Sequence, residues 1–144
     1  MLWSSIPNRR DGGMHLTEEH LEALREDCRD MTSMFAALRK AVTSGETEAA
    51  RLLVRLVGKL AEDHFRREGA MLRRHGFPRL RDHAISYEAT LIELEILQDN
   101  LTAGNCDQAR CVKAIDILDG LLLDAWDGDW NTLAFLAERL TLTE

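Results

Sequence analysis

The chain is poor in the residue types that mark several classes of protein. Its 144 residues contain three cysteines and two prolines, and its few aromatic residues are three tryptophans, four phenylalanines and one tyrosine. An odd cysteine number without a CxxC pair argues against a disulfide framework and against a zinc knuckle. The scarcity of aromatic rings argues against a platform on which nucleic-acid bases stack.

The sequence also lacks features of nucleic-acid-binding and membrane proteins. The net charge of −7 disfavours binding to nucleic acid or to an anionic membrane surface. No apolar run approaches the roughly 18 residues that a membrane span needs. The first residues, MLWSSIPNRRDGGMH, lack the apolar segment of a secretory signal. We therefore expect a cytoplasmic protein without nucleic-acid or membrane partners.

Apolar residues at helical spacing are abundant, and the sequence shows no strand pattern and no repeat. Residues 1–15 are predicted to form an irregular arm, because a proline and a Gly-Gly pair interrupt them. Residues 16–144 are predicted to form one domain of four long helices joined by short loops. The helices are expected at 17–43, 47–75, 79–101 and 107–140, the last with a bend at Gly128. Short loops favour antiparallel neighbours, so the prediction is an all-α, up-down-up-down four-helix bundle.

Polar residues interrupt the apolar stripe of each predicted helix. An unsatisfied buried polar group costs on the order of 2–7 kcal/mol, and a metal ion can satisfy several at once. Residues four apart share a helix face, which aims the paired donors of one helix at one place. The candidate metal ligands, in chain order, are His20, His64, Glu68, His83, Tyr87, Asp124 and Asp129.

The chemistry of these donors narrows the choice of metal. Imidazole, carboxylate and phenolate suit iron, manganese or zinc better than calcium or magnesium, which prefer oxygen ligands throughout. A carboxylate can bridge two ions, so Glu68 and Asp129 are the most important residues for a dinuclear site. Both lie on predicted core faces of different helices.

Taken together, these segments resemble the hemerythrin-like family along nearly the whole chain. The resemblance rests on three motifs: TEEHLEAL with His20, HFRREGAM with His64 and Glu68, and GFPRLRDH leading to His83. It also includes Trp3 in the arm and the acidic Asp129, which an apolar run follows. It implies a bundle that holds two non-haem irons and binds dioxygen or a similar diatomic. By the same resemblance, His20 and His64 would ligate the iron at which dioxygen binds, while Glu68 and Asp129 would bridge the two irons.

Two positions depart from the family pattern. Tyr87 stands where the second histidine of HxxxH belongs, and Asp124 stands where the histidine of HxxxxD belongs. Anionic donors favour ferric iron, so we expect a centre that oxidises easily. Alternatives stay open at both positions: Tyr87 is a ligand or a core tyrosine, and Asp124 is a ligand, a neighbour of one or a surface residue, with Asp127 a further candidate.

Three functions follow from this sequence. The first is a diiron protein that binds dioxygen or a related diatomic for sensing or delivery, together with a separate signalling or redox partner. The second is a diiron oxidase, oxygenase or peroxidase-like enzyme, and whether the chain is an enzyme stays open. The third is a metal-poor interaction bundle. The cofactor could be two irons, an iron–manganese pair or a single iron.

Overall fold

The computed structural model describes residues 16–103, 107–127 and 132–143, but not the side chains of 123–127 and 142–143. The described residues form five α-helices and no strand. The helices are α1 (Glu18–Thr43), α2 (Thr47–Arg74), α3 (Leu80–Thr102), α4 (Gln108–Asp127) and α5 (Thr132–Thr143). The predicted all-α bundle is confirmed, and α4 and α5 together cover the predicted last helix, whose expected bend at Gly128 lies outside the described residues. The predicted arm lies outside the described residues.

The start of α1 is fixed by a reciprocal cap. Thr17 Oγ1 accepts a hydrogen bond from the His20 backbone N–H at 3.2 Å, and His20 Nδ1 accepts one from the Thr17 N–H at 3.2 Å. Two amide groups that a helix start leaves without partners are thereby satisfied. The predicted N-cap at Thr17 is confirmed, and a histidine holds the position that glutamate or glutamine usually takes in this motif.

Both α1 and α2 end at a glycine in the left-handed conformation. The φ angles of Gly45 and Gly76 are 72° and 70°. After α2, the Phe77 N–H donates to Leu72 O at 2.9 Å and the Gly76 N–H donates to Arg73 O at 3.3 Å. This is a Schellman ending, in which only glycine avoids a steric penalty. It turns the chain sharply from α2 into α3.

Four helices close a ring, since α1 contacts α2, α2 contacts α3, α3 contacts α4, and α4 returns to α1. Gln108, at the start of α4, donates to Val42 O and Thr43 O at the end of α1, at 2.9 and 2.8 Å. One turn earlier in α1, Arg39 pairs with Asp119 further along α4 at 2.6 Å. These contacts show that α1 and α4 run in opposite directions.

The buried apolar side chains that the structure describes form two clusters. The larger lies among α1 to α4 and includes Met31 and Phe65. The smaller joins the first turns of α1 and the end of α2 to α5, and includes Leu24 and Met71. On both α1 and α2 a buried acidic residue separates the two clusters along the helix, which places a polar layer between two apolar ones.

Candidate metal centre

Glu68 of α2 is the centre of the polar layer. Its side chain is 0% exposed. Oε1 lies 2.6 Å from His83 Nε2 of α3, and Oε2 lies 3.4 Å from His64 Nε2 on its own helix. Oε2 also accepts a hydrogen bond from Thr132 Oγ1 of α5 at 3.1 Å. One carboxylate therefore connects three helices, and each of its oxygens lies next to a different histidine.

The ring of His64 is oriented by Asp27 of α1. His64 Nδ1 lies 3.1 Å from Asp27 Oδ2, and the same oxygen accepts from Arg67 at 2.9 Å. A carboxylate only accepts, so the proton of this contact belongs to Nδ1. The other ring nitrogen, Nε2, is thereby directed towards Glu68. A histidine held in this way by a carboxylate is the usual arrangement of a metal ligand in proteins.

The charges in this layer balance one another. Burial opposes the charged form of Glu68, but the neighbouring His64 and His83 more than offset this effect and lower the pKa of Glu68 to about 2. Burial likewise opposes the charged form of His64, yet Glu68 and Asp27 raise the pKa of His64 well above its usual range. Without metal, the core thus holds an imidazolium that donates to two carboxylates.

The structure brings together three of the seven sequence-predicted ligands, namely His64, Glu68 and His83. His20 is buried at 2% exposure at the start of α1, and its Nδ1 serves in the reciprocal cap with Thr17. Since that nitrogen accepts a hydrogen bond from the Thr17 N–H, the neutral ring carries its own proton on Nε2. A histidine ligand normally has the opposite arrangement, so binding through Nε2 requires the cap to open.

Tyr87 lies beside this group, on the rim of the larger apolar cluster. Its ring centroid is 5.2 Å from that of Phe65, and its side chain is half-buried. Burial raises the pKa of the Tyr87 phenol, and the nearby Glu62 adds to this effect. One residue earlier, Ser86 takes the buried position on α3. Ligation by Tyr87 stays a prediction.

The remaining two predicted ligands fall where side chains are not described. Asp124 lies within α4, but its side chain lies outside the described part of the chain. Asp129 lies between α4 and α5, outside the described residues. Their ligand roles also stay predictions.

Sequence reasoning missed two members of the group, Asp27 and Thr132. Asp27 is 6% exposed and Thr132 is 0% exposed. Both had a signal in the sequence. Asp27 lies seven residues after His20 and four before Met31, the spacing of one helix face, and Thr132 lies four residues before the buried Leu136. A buried polar residue at core spacing is informative because it needs a partner.

The donor chemistry of the group fits a transition metal, although the site is not preformed. Two imidazoles and a carboxylate are ligands that iron, manganese and zinc accept. Among residues 16–103, 107–122 and 132–141, no three His, Cys, Asp or Glu side chains already have the spacing of a metal site. The hydrogen bonds to Glu68 would therefore have to be exchanged for metal–ligand bonds when an ion binds.

Two further observations concern the molecule as a whole. Within the part that the structure describes, no helix is long and apolar enough to cross a membrane. Comparison with known proteins gives no match to a protein-family model, to a curated protein or to a solved structure.

Proposed function

We propose that this chain is a hemerythrin-like protein of the cytoplasm whose buried polar layer holds two non-haem irons. The observation that carries the proposal is the position of Glu68, a fully buried carboxylate with a different histidine at each oxygen. A carboxylate that bridges two ions needs such surroundings. The orientation of His64 by Asp27 also supports the proposal, because it presents Nε2 to the same space.

In this proposal Glu68 is the bridge, while His64 and His83 each hold one iron, and Asp129 is the second bridge expected from the sequence. The irons would supply a site for dioxygen or a similar diatomic, for sensing or delivery with a separate signalling or redox partner. The residues of the chain orient the ligands and exclude water. Apolar side chains on either side of the layer, such as Phe65 and Met71, are buried at 2% exposure and suit a small dry pocket.

A second candidate is a metal-poor interaction bundle. The observation that favours it is the set of protein partners that Glu68 already has, in His64, His83 and Thr132. A buried acid that is hydrogen-bonded on both oxygens does not require an ion for its stability. The two candidates therefore differ in whether the protein takes up iron in these hydrogen-bonded positions.

The test is the iron content of the purified protein after anaerobic reconstitution with ferrous iron, measured by mass spectrometry. We expect about two irons per chain in the wild type and loss of the dinuclear site in Glu68→Gln, which removes the bridging charge at nearly constant volume. Glu62→Gln is the matched control, because Glu62 is exposed on the same helix. Its iron content should equal that of the wild type.

Circular dichroism on the same samples establishes that each variant is folded. Wild-type protein that takes up no iron after reconstitution would overturn the metal proposal and leave the interaction bundle. Iron content that is unchanged in folded Glu68→Gln protein would show that Glu68 is not the bridge.

A further inference from the structure

Five large apolar side chains lie exposed on two neighbouring helices. They are Leu52 and Leu56 of α2 and Ile85, Ile92 and Ile96 of α3, each between 45% and 57% exposed. Spacings of four and seven place the two leucines on one outer face of α2 and the three isoleucines on one outer face of α3. Single exposed apolar residues are ordinary, but a set of them on adjoining helices marks an interaction surface.

The two outer faces belong to one side of the bundle. Two contacts join the helices near their opposite ends, Arg51 Nε to Leu101 O at 2.8 Å and His83 Nε2 to Glu68 Oε1 at 2.6 Å. These contacts show that α2 and α3 run in opposite directions. Counted from the first contact, residues 52–59 of α2 lie at the height of residues 93–100 of α3. The exposed leucines are therefore level with the later part of the isoleucine stripe.

The charges beside these side chains differ in sign between the two helices. Residues 52–59 of α2 contain two basic residues, Arg55 and Lys59, and no acidic one, whereas residues 88–99 of α3 contain four acidic residues and no basic one. Both basic side chains are exposed, as are the acids Glu88, Glu95 and Asp99. In the described part of the chain, none of these five exposed charges forms an ion pair. A basic apolar face thus lies beside an acidic apolar face.

A second copy of the chain matches both faces at once. A two-fold axis parallel to the helices places α2 of each copy on α3 of the other, at unchanged height. Lys59 then lies within about one helical turn of Glu95 of the second copy, and Arg55 within about one turn of its Asp99. A two-fold axis perpendicular to the helices would place α2 on α2 and α3 on α3, so that like charges would face each other. The charges therefore select the parallel axis.

We propose that the outer face of α2 and α3 binds a second copy of this chain and forms a two-fold dimer, with Ile92 buried between the copies. Burial of the apolar side chains supplies the affinity, and the opposed charges supply the orientation. Dimer formation does not depend on the proposed metal centre, because this face lies on the outside of both helices, away from the polar layer.

The test is the oligomeric state of the full chain, measured by sedimentation equilibrium over a range of concentrations. We expect a dimer in the wild type. A wild type that stays monomeric up to about 1 mM would overturn the proposal, since so weak an association is not a specific dimer.

Ile92→Glu tests the position of the face. It places a charge between the copies and should raise the dissociation constant of the dimer by about 10-fold or more. Ile117→Glu is the matched control, because Ile117 is an exposed isoleucine of α4, outside the proposed face. It should dimerise like the wild type. A dimer that withstands Ile92→Glu, or that both variants weaken equally, would overturn the proposed face.

Charge reversal tests the arrangement of the two copies. Lys59→Glu and Glu95→Lys each place like charges opposite each other, and because every contact occurs twice, each should weaken its own dimer by about 10-fold or more. An equimolar mixture of the two variants has unlike charges at both contacts and should form a mixed dimer. Rescue by mixing cannot come from a pair within one molecule. Reversals that leave the dimer intact, or a mixture that stays as monomeric as its components, would overturn the arrangement. Circular dichroism establishes that each variant is folded.

Discussion

At the residue scale, the orientation of His64 next to Glu68 depends on Asp27, a side chain of α1. Asp27 sets the orientation of His64 through Nδ1 and is itself held by Arg67. Such a carboxylate fixes which nitrogen carries the proton and which one faces the metal. Its influence on metal binding should therefore be large, although it provides no ligand atom.

We predict that Asp27→Asn weakens the affinity for iron by about 10-fold or more while the protein stays folded. The reason is that an amide can present either a donor or an acceptor to Nδ1 and no longer supplies the negative charge. The affinity is measured by anaerobic titration with ferrous iron. Asp30→Asn is the matched control, as Asp30 is exposed on the same helix, and a loss of equal size in that variant would contradict the prediction.

The sequence reveals the main acid and the two histidines of the group but not their supporting residues. His64, Glu68 and His83 stand out because charged or polar residues are rare at core spacing. Asp27 was missed because its neighbour Cys28 also fits the stripe and is the more hydrophobic of the two. On α3, the spacing permits either Ser86 or Tyr87 at the inner position, and only the packing of the bundle places Ser86 there.

At the element scale, the ends of the helices are the best-predicted features. Thr17 as N-cap and the glycines at 45 and 76 bound α1 and α2 within a residue or two of the expected positions. Caps and left-handed glycines act locally, so they can be recognised without knowledge of the fold. The predicted bend at Gly128 falls outside the described residues and stays a prediction.

Gly76→Ala should lower the free energy of unfolding by about 1 kcal/mol, because an alanine side chain is strained at a φ of 70°. An added Cβ meets no atom within 4 Å at this position, so the effect is one of backbone conformation alone. Urea unfolding monitored by circular dichroism measures it.

Gly58→Ala is the matched control for that change. Gly58 lies inside α2, where an added Cβ again meets nothing within 4 Å. Alanine is the better helix former by roughly 0.5–1 kcal/mol, so this variant should be more stable than the wild type. Equal behaviour of the two glycine variants would show that the left-handed ending of α2 does not constrain the chain.

At the scale of the whole molecule, a polar layer between two apolar clusters makes stability depend on pH. The pKa of Glu68 is lowered from 4.5 to about 2, so its contribution is complete above pH 4.5 and is lost as the pH falls towards 2. The pKa of His64 is raised above 6.5, so its contribution is complete below pH 6.5 and is lost as the pH rises through the raised value.

The metal-free protein should therefore gain most from this pair between pH 4.5 and 6.5. Urea unfolding of metal-free samples across the pH range measures the dependence. In His64→Gln the decline on the alkaline side should be smaller than in the wild type. Glu62→Gln, which changes an exposed carboxylate, should follow the wild-type curve. An alkaline decline that is equally steep in His64→Gln would exclude His64 as its source.

The contact of Gln108 with the end of α1 has a consequence for the order in which the chain is completed. Gln108 donates to Val42 O and Thr43 O across a separation of 66 and 65 residues. During synthesis, neither carbonyl group can accept the hydrogen bond from Gln108 until the beginning of α4 has left the ribosome. The last turn of α1 thus acquires these partners only after more than three quarters of the 144 residues have been joined, so closure of the ring comes late in the synthesis of each molecule.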